Sequence, residues 1–250
     1  MRKLLYYLLS LVLILISCYS VTQIYNILKQ NSNEKEQNAY LNEIAKKDES
    51  GTSYTTNEEK KENEVVIDFK GLQKINNDII AWIKIPDTTI DYPIVQGTDN
   101  DYYLHYNAMK EENYAGAVFV DYQNMNPFED KHTIVYAHNV KHGTMFAPLE
   151  KYGEEKFFKE HPIYNIYTPK ANYEVEIFAF YTTTDISDAY ELIDVERYIS
   201  QWQANSLYSN DAEVDDNDCI VTLSTCSYEH NNQPSELRHV LKGVIKKIDD

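Results

Sequence analysis

From Ile79 onward the apolar residues of this chain fall into short alternating runs separated by turn residues. That rhythm limits the fold more than any other feature. "IIAWIKI", "TIDYPIVQ", "YAGAVFVDYQ", "KHTIVYAH", "IYNIYTP", "NYEVEIFAFYTTT", "DCIVTLSTC" and "LRHVLKGVIKKI" each read as a strand. Pro86-Asp87 turns the first. Pro93 demotes the second to an edge or a bulge, because proline has no N–H to give to a ladder. Helical spacing is sparse. It shows at Phe69, Leu72 and Ile75, is interrupted by Pro148, Gly153 and Pro162 in "TMFAPLEKYGEEKFFKEHP", and returns in "VERYISQWQANSLY". Many short strands in series with few helices make a largely antiparallel barrel or sandwich. The 22 tyrosines against 7 glycines agree with strands.

Ahead of the strands the chain has a different character. Arg2 and Lys3 precede an uncharged stretch from Leu4 to Leu28, whose centre is "LLSLVLILIS". As a helix it is long enough to cross a bilayer. Basic residues before it and a polar, acidic continuation after it put the N-terminus inside and the bulk outside. Two other readings reach the same side of the membrane. One is a cleaved signal peptide, although no small-x-small cleavage site is visible. The other is a lipoprotein signal, since "LISC" (Leu15 to Cys18) resembles a lipobox. The expectation is a single-pass cell-membrane protein with its folded part extracellular. From Lys29 to about Glu64 the composition is polar and charged, which reads as a stalk with a short helix near Tyr40 to Lys47. The expected organisation is a membrane segment at 1–28, a stalk at 29–64 and one folded domain at 65–250.

A formal net charge of -17 argues against a nucleic-acid partner, which needs a basic face. No group of residues has metal-ligand spacing, and the acidic surface reads as solvated. No cofactor is expected. The three cysteines are Cys18, Cys219 and Cys226. The last two stand seven positions apart in one strand, so they face opposite ways and do not pair.

That strand also holds the strongest chemical signal. Cys219, Val221 and Leu223 share one face, the natural core face, with Cys219 as plain core. Ile220, Thr222, Ser224 and Cys226 share the other. Cys226 thus lies on the more polar side at the strand's C-terminal end, a sensible place for a reactive thiol and a poor one for a structural cysteine. A thiol has a reference pKa of about 8.5 and reacts as the thiolate, so it needs a partner. Of seven histidines, His138 stands out. It ends the run "TIVYAH" before a loop, as Cys226 ends its own run. Such an imidazole can protonate a leaving amine. His142 and His230 fall in loops, and His239 alternates with Leu237 and Leu241, which turns it inward. Acyl transfer also needs an oxyanion stabiliser. Arg238 opens the strand after the Cys226 loop, where hairpin pairing brings it beside the thiol.

These residues carry a resemblance. "TLSTC" followed by an Arg-bearing strand, with "YAHN" upstream, resembles the sortases of Gram-positive bacteria, which are membrane-anchored cysteine transpeptidases. "INNDIIAWIKIPDTTIDYPIVQGTDNDYYL", "GAVFVDYQN", "IVYAHNVKHGTMFAPLEKY" and "YEVEIFAFYTTT" look specifically like class B. The match is collinear from about Phe69 to Ile245. It implies a mainly β fold, an eight-stranded sortase barrel with N-terminal helices and one longer helix inserted late in the barrel. It implies His138, Cys226 and Arg238 as catalytic residues. The expected substrate contacts are Asn100, Leu104, Thr184, Tyr190, Ser224 and Ser227. The family usually has Gly where Ala137 stands.

The implied reaction cleaves a C-terminal sorting signal after Thr through a thioacyl-enzyme and passes the protein to a peptidoglycan amine. The implied partners are secreted proteins with a sorting pentapeptide, NPxTN-like in most class B enzymes and PPxTG-like in some clostridial-type relatives, and an amine on a stem or cross-bridge peptide. Two other readings compete. An L,D-transpeptidase is hinted at by "HGT" at 142–144, but that family expects Arg almost directly after the Cys. A lipid-anchored surface-binding protein would make Cys226 structural.

Overall fold

The structure, a computed structural model, describes residues 2–46, 66–140, 143–226 and 236–248. The chain divides into two units, Met1–Tyr40 and Leu41–Asp250. Helix α1 runs from Arg2 to Ala45. In the first unit its stretch Tyr6–Tyr25 has a mean hydropathy of 1.9 and is buried by nothing. At 1.5 Å per residue those 20 residues reach about 30 Å, enough to cross a bilayer. The helix includes 29–45, the first part of the segment expected to be a stalk; 47–65 lies outside the described residues.

The second unit is built on a closed eight-stranded barrel. Its strands are β1 (Ile79–Lys84), β2 (Asp91–Gln96), β3 (Val118–Val120), β4 (His132–Tyr136), β7 (Ile163–Tyr167), β8 (Asn172–Thr184), β9 (Ile220–Cys226) and β10 (Leu237–Lys247). The order around the barrel is β1-β2-β3-β4-β9-β10-β8-β7, and β7 closes on β1. Pairs β2/β3 and β4/β9 are parallel; the other pairs are antiparallel. A short hairpin of β5 (Asn139–Val140) and β6 (Thr144–Met145) stands apart. Of the two architectures open to alternating strands, the barrel is the one adopted. Each strand pairs on both sides, which removes the exposed edges.

Pro93 is therefore on no edge. It sits opposite Trp82 within the barrel wall, and the register irregularity lies in β1 between Ile79 and Ala81. Strand β3 is only three residues long and pairs with Ile94 to Gln96, so it asks nothing of Pro93. Pro148 does not break a helix either. It sits in the first turn of the 3₁₀ helix Ala147–Gly153, where its missing N–H costs nothing. Strand β10 shifts register between Lys242 and Gly243. A Cβ on Gly243 would lie 2.5 Å from Val175 Cγ1 and 2.9 Å from the Glu176 carbonyl oxygen, so only glycine lets β8 and β10 approach there.

Side chains fill the bore, among them Ile83, Tyr92, Val135, Leu223 and Leu241. The 3₁₀ helix Ala147–Gly153 and helix α4 (Glu155–Glu160) add Leu149, Tyr152 and Phe158 to it. Two further layers cover the outside. On β1 and β2, Leu41 and Ala45 of α1 with Phe69 and Leu72 of helix α2 (Phe69–Ile75) pack around Trp82 and Val95. On β8, β9 and β10, the β8–β9 connection adds Ala189, Val195 and Trp202 to Tyr181, Ile220 and Val240. That connection holds the 3₁₀ turns Asp188–Tyr190 and Val195–Arg197 and the inserted helix α5 (Ile199–Asn205), of seven residues. The second face of β9 is thus covered by protein along most of its length.

The cover on β9 is what neutralises His132. Burial first, and then the charge of Lys242, hold its pKa well below the ordinary imidazole value. In the unfolded chain the same ring titrates near 6.5. Between the two values the unfolded chain binds more protons, so stability falls as the pH falls. The loss reaches about 1.4 kcal/mol per pH unit below about pH 6. Urea denaturation of the wild-type and His132→Gln chains at about pH 7.5 and about pH 5 measures it. The wild type is expected to lose more on acidification than the variant; equal losses would remove His132 from the balance.

Candidate active site

The two outer layers leave a gap over the ends of β4 and β9, and the expected site lies in it. Alternation assigns the faces. Val221, Leu223 and Leu241 point into the bore. Ile220, Thr222, Ser224 and Cys226 therefore point outward, and so do their β10 partners Val240 and Arg238. Cys226 and Arg238 are direct cross-strand neighbours. Side chains so paired have Cβ atoms about 4.5–5.5 Å apart. His138 arrives from the other side. Strands β4 and β9 are parallel, with Tyr136 beside Ser224, so both chains leave the sheet at the same rim. Ala137 N–H donates to the Ser224 carbonyl at 3.3 Å, and Asn139 Nδ2 donates to the Cys226 carbonyl at 2.9 Å. His138 is held between these two ties.

His138, Cys226 and Arg238 line one cleft of about 680 Å³. Cys226 is half-buried at its floor and is a free thiol. His138 Nε2 lies 2.9 Å from the Leu104 carbonyl oxygen. A carbonyl only accepts, so Nε2 carries the hydrogen, which leaves Nδ1 to exchange a proton. Arg238 Nη2 donates to Asp185 Oδ2 at 3.1 Å and Nη1 to the Leu237 carbonyl at 3.1 Å. These contacts hold the guanidinium.

The walls come from the outer layers. Asn100 and Leu104 stand on one side; Leu104 is in the short helix α3 (Tyr102–His105). Tyr190 to Ile193 stand on the other. Tyr190 O–H and Ser224 Oγ are 2.8 Å apart, and the Tyr190 ring stacks over Tyr136 at 6.2 Å. Burial pushes the Tyr190 phenol up to about 12, so it stays neutral. Asn100 Nδ2 and Tyr136 O–H both donate to Asp121 Oδ2, at 2.8 and 3.0 Å.

Of the residues expected from the sequence, His138, Cys226, Arg238, Asn100, Leu104, Tyr190 and Ser224 meet in this cleft. Thr184 ends β8 opposite Leu237, exposed and outside the lining; its neighbour Asp185 takes that place. Ser227, His142 and His230 lie outside the described residues. His239 turns inward as expected and stacks on Phe180. Cys219 is not core: it precedes β9, half-buried, with Sγ 3.9 Å from the Glu129 carbonyl. Sequence reasoning missed Asp121 and Tyr136. Tyr136 was within reach, since it stands two residues before His138 and so shares its face. Asp121 was not, because its partners come from distant segments.

Comparison with known proteins identifies the family. The sortase domain family matches residues 83–245. Sortase B of Listeria monocytogenes serovar 1/2a (strain ATCC BAA-679 / EGD-e) is 44% identical over 187 residues, covering 73% of this chain and 75% of that protein. The crystal structure of sortase B from B. anthracis in complex with AAEK1 superposes with a TM-score of 0.73 at 35% identity, covering 88% of this chain and 100% of that one. A Staphylococcus aureus sortase B–substrate complex gives a TM-score of 0.66 at 30% identity, covering 72% and 85%. By sequence and by fold, this chain belongs to the sortase family of transpeptidases, in class B.

Proposed function

We propose that the cleft cleaves a C-terminal sorting signal after Thr and transfers the protein to a peptidoglycan amine, with Cys226 as nucleophile. The observation that carries this reading is the meeting of a free thiol, an imidazole and a guanidinium in one cleft from three strand ends. The relative from Staphylococcus aureus that was solved as a sortase B–substrate complex supports a bound substrate. Cys226 gives its thiol proton to His138 Nδ1, the thiolate attacks the Thr carbonyl, and Arg238 meets the developing oxyanion. Collapse breaks the amide bond. The departing amine takes a proton from His138 Nδ1, leaving a thioester on Cys226. A cell-wall amine then attacks the thioester and gives its proton to His138. A new amide forms and the thiolate is regenerated. Asn100, Leu104, Tyr190 and Ser224 hold the peptide, and Asp185 stands where Thr184 was expected to meet it.

The N-terminal helix supports a location at the membrane. We place residues 1–28 in the membrane as a single-pass anchor, and the 29–64 segment as the lead into the extracellular catalytic domain, to whose core its Leu41 and Ala45 already belong. Such an arrangement keeps the cleft close to newly exported proteins.

A panel of labelled NPxTN-like and PPxTG-like pentapeptides, incubated with the full chain in detergent, tests the reading by product mass. Cleavage after Thr, with an amide product when a short amine is added, is the expected result. No cleavage of any member would defeat it. Arg238→Ala is expected to keep its fold and lose about 3 kcal/mol of transition-state stabilisation, roughly a hundredfold or more in turnover. Turnover near that of the wild type would move the oxyanion role elsewhere.

A further inference from the structure

Lys242 is fully buried on the outer face of β10, away from the reacting groups. A buried lysine is costly unless its donors are used. Its Nζ donates to the Ala189 carbonyl at 2.9 Å and to Thr222 Oγ1 at 2.7 Å, and it lies 3.5 Å from the centroid of the Trp202 ring. Thr222 Oγ1 is 2.7 Å from His132 Nε2, and His132 Nδ1 is 2.6 Å from the Glu191 carbonyl oxygen. Because that carbonyl only accepts, Nδ1 carries the hydrogen. Neutral His132 then accepts at Nε2, so the Thr222 hydroxyl donates to it and accepts from Lys242. Donors and acceptors match at each step, and the polarity runs one way from Lys242 to His132.

The chain of bonds has a purpose that its ends disclose. It stops on the main-chain carbonyls of residues 189 and 191, one on either side of Tyr190. Tyr190 is the wall residue that reaches Ser224, two positions before Cys226. The three anchors come from strands that are paired with one another: His132 from β4, Thr222 from β9 and Lys242 from β10. A connection of 35 residues from Asp185 to Cys219 is thereby fixed to the barrel at the point where it meets the cleft.

We propose that Lys242, Thr222 and His132 are positioning residues for the transpeptidase site, clamping the carbonyls of the residues on either side of Tyr190 and so holding the wall against which the sorting peptide lies. This rests on the reading of the cleft as the peptide site. The clamp acts on binding of an extended peptide and leaves the thiol's own reactivity unchanged.

The test uses the full chain in detergent with an internally quenched pentapeptide that the wild type cleaves. Thr222→Val removes the central hydroxyl at nearly constant volume, Thr222→Ser restores it, and Lys242→Met removes the donors at one end. Thr222→Val and Lys242→Met are expected to raise KM at least tenfold with kcat within about threefold. Their rate of Cys226 alkylation by iodoacetamide should stay within about twofold of wild type, and Thr222→Ser should return KM to the wild-type range. An unchanged KM in the folded variants overturns the clamp, as does a kcat or alkylation rate that falls in parallel. A Thr222→Val chain that does not fold overturns it too, because it gives the network to the barrel rather than to the wall. A wild type that cleaves no peptide defeats the assignment of the site instead, so the two failures are distinct.

Discussion

Cys226→Ala is expected to bring turnover of any sorting peptide to the limit of detection while leaving the fold intact. The loss has the size it does because covalent catalysis has no partial substitute: removal of a nucleophile costs on the order of 10⁶ in turnover. The fold should tolerate the change. Cys226 is half-buried at the end of β9, and its backbone carbonyl keeps its bond from Asn139. Two measurements separate this from general damage. Urea denaturation should give a stability within about 1 kcal/mol of wild type. Mass spectrometry should show the wild type, and not the variant, carrying a peptide fragment that ends in Thr. Measurable turnover in Cys226→Ala, with no adduct in either protein, would end the assignment of the nucleophile.

His138→Ala should follow, with a loss of about 10² to 10⁴ in turnover, the range over which a positioned acid–base group acts. The tautomer decides which nitrogen acts. Nε2 is committed to the Leu104 carbonyl, so Nδ1 is the nitrogen available to the departing amine. An amine leaves with difficulty unless it is protonated; a thiolate does not need the proton. Replacing the scissile amide by a thioester should therefore shrink the defect of His138→Ala to under about tenfold. If the defect stays as large with the thioester, His138 serves the attacking sulfur more than the leaving group.

The strands show how far a pattern can be read. β8 is a period-two run of 13 residues, "NYEVEIFAFYTTT", and needed no context to be found. β3 holds three residues of a longer apolar stretch, because its neighbours pair with it only there. Pro93 misled for the same reason. Its local meaning is an edge, yet the closed barrel supplies a position where nothing is asked of it. Alternation alone put Cys226 opposite Val221 and Leu223, and that assignment holds. What alternation does not report is the cover: the face carrying Thr222 and Ser224 is polar in sequence and buried in the structure, beneath the β8–β9 connection.

The order of elements, the thiol at a strand end, the imidazole at another and the apolar N-terminal helix were all determined by the sequence itself, because each depends on residues within a few positions of one another. Bringing them together was left to the tertiary structure. Closing the barrel sets β4 beside β9 and β9 beside β10, so groups 88 and 12 residues from Cys226 reach one cleft. The same closure buries a lysine, a threonine and a histidine from three strands in one proton-ordered chain. Hydrogen bonds of that kind are decided by register between distant segments, which local spacing does not encode.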